Sequence, residues 1–219
     1  MRSSVLAGLY VCHNGNFLCP IIAGEPLSYC NGACYSTFMY TCSGGALAQL
    51  PRLEGAFTLT VSNPKIEADG WPVTACSQHL WIGGETCSYC PAETVGEENC
   101  PPGNVTALYA PSGLATMVPG GQQYYLDPYW FVGYTQAHSA SIPSGSTVGG
   151  FAAFENGGFV NLNEGALGWV ACYPTASGGG DGRWTLSARN ETNANVGQGC
   201  FAVNLKVTPA EAPAAWQYT

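Results

Sequence analysis

The placement of cysteine constrains this chain more than any other feature. Of its 11 cysteines, five (Cys12, Cys19, Cys30, Cys34, Cys42) fall in the first 50 residues, and six (Cys76, Cys87, Cys90, Cys100, Cys172, Cys200) lie in the remainder. About 50 residues cannot bury enough apolar surface to fold alone, so disulfides must stabilise the first region. This cysteine usage points to an oxidising compartment. Two acceptor sequons agree, at Asn104-Val105-Thr106 and Asn190-Glu191-Thr192.

The first region repeats itself. Tyr10-Val11-Cys12-His13-Asn14-Gly15-Asn16-Phe17-Leu18 is echoed by Tyr40-Thr41-Cys42-Ser43-Gly44-Gly45-Ala46-Leu47. Each unit reads Tyr-x-Cys, a small polar turn with glycine, then an apolar close, and is expected to be a cysteine-clamped hairpin. The second unit is preceded by Cys30 and Cys34; the first has no cysteine in the place matching Cys30. One thiol of the five is therefore expected to lack a partner. Met1 to Tyr10 also lacks a signal-peptide pattern. Both anomalies are expected if the chain starts late, with a signal peptide and one cysteine missing.

Composition removes several function classes. A net charge of −8 and only six Lys plus Arg argue against nucleic acid. No apolar run approaches the ~18 residues a membrane-spanning helix needs. Disorder is excluded by the 46% apolar content.

From about residue 55 the chain reads as strand-like runs separated by Gly or Pro. These are 57–61, 79–82, 105–109, 114–118, 123–126, 130–134, 148–154, 159–162, 167–172, 184–188 and 200–207. No segment carries helical periodicity with caps. The expected fold is all-β, with a small disulfide-clamped hairpin module (1–50) followed by a β-sandwich or barrel-like domain (51–208). The Ala/Pro-rich stretch 209–219 is expected to be a linker or frayed end.

The text of the first region resembles the carbohydrate-binding module attached to fungal endo-1,3(4)-β-glucanases. The residues that carry this are Tyr10-x-Cys12-x-Asn14-Gly15-Asn16-Phe17-Leu18-Cys19-Pro20, Gly24-x-Pro26-Leu27, Cys30-Asn31-Gly32-Ala33-Cys34-Tyr35 and Tyr40-Thr41-Cys42. The remainder resembles secreted fungal IgE-binding or phialide-type cell-wall proteins. Leu80-Trp81-Ile82-Gly83-Gly84, Tyr89-Cys90-Pro91, Cys100-Pro101-Pro102-Gly103-Asn104, Val118-Pro119-Gly120-Gly121-Gln122-Gln123 and Tyr134-Thr135-Gln136-Ala137-His138-Ser139-Ala140 carry that one. Together the resemblances imply a secreted, wall-associated, non-catalytic fungal protein with neutral cell-wall polysaccharide as partner and no cofactor. A structural or interaction protein of the wall or spore surface, with wall proteins as partners, is the alternative. A cryptic glycan-active hydrolase is a third.

Sugar recognition needs flat apolar faces for pyranose rings and amides for hydroxyls. The first region supplies Tyr10, Phe17, Tyr29, Tyr35, Phe38 and Tyr40, with Asn14, Asn16 and Asn31 close in sequence. These rings serve either as a platform or as the core of the module. Tyr35 and Phe38, between the cysteine clamps, are the first choice for the platform. Hydrolysis would need two carboxylates about 5–9.5 Å apart. Glu97, Glu98, Asp127, Glu155, Glu164 and Asp181 mostly sit beside turn residues, without a pattern that pairs them on one face. Cys76-x-x-His79 with Cys87-x-x-Cys90 has zinc-ligand spacing, but in an oxidising compartment disulfides account for it better. The six later cysteines allow 15 pairings. Cys172 with Cys200 is the expected pair, because both border late strands, with Cys76, Cys87, Cys90 and Cys100 pairing among themselves.

Overall fold

The structure is a computed structural model. It describes residues 8–164, 166–174, 182–190 and 197–219, with the side chains of Leu167 and Asn190 left out. The stretch before residue 8, Asp181, and the Asn190 sequon beyond its first backbone position lie outside the described residues.

The first region is a run of short hairpins. Tyr10–His13, Phe17–Ile22 and Glu25–Pro26 make a three-stranded sheet. Ser28–Cys30 with Ala33–Tyr35, and Tyr40–Ser43 with Ala46–Gln49, make two two-stranded sheets. Turn chemistry is the reason. Cys30 pairs with Ala33 and Ser43 with Ala46, so each turn has two central residues. Their φ angles are 43° and 91° at Asn31-Gly32, and 59° and 81° at Gly44-Gly45. Positive φ at both positions is the turn geometry whose twist matches that of the flanking strands.

Two disulfides tie these hairpins together. Cys19–Cys34 joins the first sheet to the second, and Cys30–Cys42 joins the second to the third. Cys12 is exposed and unbridged. Cys19 and Cys30 are also the buried residues of the module among those described, at 0% and 3% exposure. The interior of the module is therefore sulfur rather than aromatic.

The second region is built on a ten-stranded antiparallel sheet. Its middle runs in the order Phe57–Ser62, Cys200–Pro209, Ala166–Cys172, Trp184–Asn190, His79–Ile82. In Phe57–Ser62 the residues Phe57, Leu59 and Val61 are buried while the intervening ones are half-buried, the period-2 alternation of a one-sided sheet. The hairpin Phe151–Ala153/Phe159–Asn161 covers the core. Phe159 stacks on Trp169 at 5.3 Å and on Phe151 at 5.7 Å. Trp169 Nε1 donates to Phe159 O at 2.8 Å, which satisfies the indole inside the core.

The barrel expectation is corrected. The two ends of the sheet approach each other through one isolated bridge, Gly113 to Gln123, and the sheet does not close. Among the described residues, helix is limited to single turns at Ala92–Val95 and Glu97–Asn99. The remaining disulfides are Cys76–Cys87, Cys90–Cys100 and Cys172–Cys200. Bonding of Cys76 to Cys87 takes both sulfurs out of the zinc-like spacing.

The reading of 209–219 as a loose end is also corrected. Ala214, Ala215 and Tyr218 are buried, and Gln217–Tyr218 pairs with Ser88–Tyr89. Tyr218 Oη donates to Val105 O and accepts the Ala107 N–H, both at 3.0 Å. Short Ala214 and Ala215 allow close approach, and the large aromatic Tyr218 then anchors the segment. Composition alone registers the first and overlooks the second.

The two regions touch through backbone and polar side chains. Gly158 N donates to Phe38 O at 2.9 Å. Ser62 Oγ donates to Glu25 Oε1 at 3.1 Å.

Candidate functional site

In the first hairpin His13 lies directly opposite Phe17, so the two side chains share one face. The next hairpin lays Tyr29 against that face. Phe17 and Tyr29 have ring centres 4.8 Å apart at 59°, and His13 stacks with Tyr29 at 5.9 Å and 22°. His13 Nε2 is 3.1 Å from Leu27 O, which fixes the imidazole over the cluster. All three rings are half-buried. The turn after His13 carries Asn14 and Asn16, both exposed. The result is an aromatic shelf with two amides at its end. Among the described residues of the module the one carboxylate is Glu25, already hydrogen-bonded to Ser62.

The other expected residues are distributed differently. Tyr10 is 43% exposed on the opposite face of the same hairpin, beside Leu18 at 49%. Asn31 is exposed at the second turn, with its side chain over Gly45. Tyr35 and Tyr40 are half-buried and pair with Ser28 and Gln49. Phe38 points to the second region, where Gly158 leaves room for its ring. Tyr35 and Phe38 are therefore not joined to the His13–Phe17–Tyr29 cluster, and Phe38 is committed to the contact between regions. His13 is the cluster member that sequence reasoning missed. Its position at the same turn as Asn14 was the available signal.

The acids weighed for hydrolysis are placed as turn and surface groups. Glu97, Glu98, Glu155 and Glu164 are exposed. Asp127 Oδ1 accepts the N–H groups of Tyr129 and Phe131 at 2.8 and 2.9 Å, so it shapes a loop. Asn104 is exposed in a loop; Thr106, the third residue of its sequon, is buried and its Oγ1 accepts the Ala75 N–H at 2.7 Å.

A protein-family model described as "Carbohydrate binding" matches residues 6–47. A second, described as "PhiA-like secreted protein", matches residues 57–219. A protein of Arthroderma benhamiae described as an uncharacterized secreted protein is 40% identical over 172 residues, which cover 74% of this chain and 85% of that one. No solved structure matches. The two resemblances drawn from the sequence fall on the same two stretches as the two family models.

Proposed function

The chain belongs to the PhiA-like secreted protein family, and from that premise we propose that it is a non-catalytic wall protein whose N-terminal module binds neutral β-glucan. It is a secreted protein with a carbohydrate-binding domain. The module's interior supports β-glucan binding. Because half-cystines fill it, every aromatic ring there keeps accessible surface. Rings that are not needed as core are free to stack on pyranose faces, with Asn14 and Asn16 beside them for hydroxyls. Near-absence of charge suits a neutral polymer. Asn104, exposed in its loop, serves as a glycan acceptor in the secreted protein.

Co-sedimentation of the secreted chain with insoluble β-1,3-glucan, chitin and cellulose tests this. Retention on the glucan is expected, and release of reducing ends is not. Passage of the intact chain through all three overturns the reading.

A further inference from the structure

A second aromatic site lies in the PhiA-like region, away from the module. A half-open cleft of about 470 Å³ is lined by His79, Trp81, Phe131, Tyr173, Arg183 and Thr185, among others. Its volume is within the roughly 300–1,000 Å³ range of small-ligand sites. Among the described residues, none that lines it is a carboxylate, although the chain carries a net charge of −8.

Each ring is fixed from behind. Trp81 Nε1 donates to Cys76 O at 2.9 Å, and the ring packs against His79 at 5.9 Å. His79 Nδ1 lies 3.0 Å from Ser77 O, which orients the imidazole. Tyr173 is 54% exposed yet held: it follows the Cys172–Cys200 bridge, its N–H donates to Gly199 O at 2.8 Å, and its ring meets Trp184 edge-on at 5.1 Å. The third wall comes from a strained loop. Trp130 has φ of +72°, a region that bulky residues rarely enter. Asp127 Oδ1 and the Ala188 N–H donation to Trp130 O at 2.7 Å hold that conformation. The loop presents Phe131 at 38% exposure and Tyr129 at 80%. Strain of this kind persists only where surrounding contacts enforce it, and it concentrates at binding sites.

We infer that this cleft is a second saccharide-binding site, which takes a neutral gluco-oligosaccharide by stacking on Trp81 and Tyr173. Pre-fixed rings, with hydroxyl-bearing Thr185 and an imidazole on the wall and no carboxylate among the described lining residues, favour a neutral polyhydroxyl ligand over a basic peptide. The choice of a glucan rests on the reading of the module. Two sites on one chain bind the same polymer with higher avidity than either does alone.

Titration calorimetry of the full chain with a β-1,3-linked glucohexaose tests this. Two sites per chain are expected. Phe17→Ala/Tyr29→Ala leaves one of them, and Tyr173→Ala weakens that one roughly tenfold. Trp81→Ala is expected to act in the same direction and Trp81→Phe to recover part of the loss, with the near-ultraviolet spectrum confirming an intact fold. A single site that vanishes with Phe17→Ala/Tyr29→Ala overturns this inference and leaves the module reading standing. A single site that ignores that pair and vanishes with Tyr173→Ala supports the cleft and overturns the module reading. Absence of any binding overturns both.

Discussion

Gln122 and Tyr218 hold each other by a reciprocal pair of hydrogen bonds. Gln122 Nε2 donates to Tyr218 O at 3.0 Å, and Tyr218 N donates to Gln122 Oε1 at 2.7 Å. Gln122 Nε2 also donates to Thr135 O at 2.9 Å. The amide thus stands in for a missing strand and ties the C-terminal segment to the sheet. Gln122→Leu leaves three buried backbone groups unpaired, at about 1–3 kcal/mol each. The expected loss is at least about 3 kcal/mol in the unfolding free energy, read by denaturant titration of the secreted chain.

Alkaline stability follows from the same anchor. Burial pushes the Tyr218 hydroxyl up to about 12, partly offset by its hydrogen bond with Ala107 N. Burial raises the Tyr124 and Tyr134 hydroxyls as well. In the unfolded chain tyrosine ionises near 10. Below that value both states keep the proton and pH has no effect through these groups. Above it the unfolded state binds fewer protons, so stability falls by about 1.4 kcal/mol per pH unit for each such group. For Tyr218 the loss runs from about 10 to about 12. Absorbance near 295 nm is expected to show these tyrosines titrating together with unfolding.

Contact between the module and the second region depends on absent side chains. A Cβ at Gly157 would lie 2.6 Å from Phe38 O, and one at Gly158 would lie 2.7 Å from Phe38 Cδ1. The first obstacle is backbone and cannot swing away. Gly157→Ala is expected to cost about 1–3 kcal/mol and to raise protease susceptibility near the junction. Wild-type stability in this variant would contradict the described packing.

Charge plays little part in the proposed recognition. Retention on β-1,3-glucan is expected to change little between low and high salt, and to survive a chelator. Steep salt dependence would indicate an ionic partner instead.

Much of this was legible in the chain. Strand positions such as His79–Ile82 and Ala166–Cys172 follow from β-branched and aromatic runs bounded by Gly. The hairpin turns follow from Asn31-Gly32 and Gly44-Gly45, because few other residues tolerate positive φ. The strand Val73–Cys76 was missed: buried throughout, it lacks alternation, and Pro72 disguises its start. Tyr218 was missed because its partners, Val105, Ala107 and Gln122, lie about a hundred residues away in sequence. The aromatic shelf was half legible. Asn14, Phe17 and Tyr29 are evident by type, but His13 joins them only through cross-strand register, and Phe38 leaves them for a glycine in another region.

The most direct test of the account is the affinity of the Tyr29→Ala chain for insoluble β-1,3-glucan beside wild type. Tyr29 touches both Phe17 and His13, so its loss dismantles the shelf while both disulfides of the module stay in place. Roughly tenfold weaker retention, with unchanged thermal unfolding, is the predicted result. Retention equal to wild type by a correctly folded Tyr29→Ala chain would contradict the claim that this face binds the glucan.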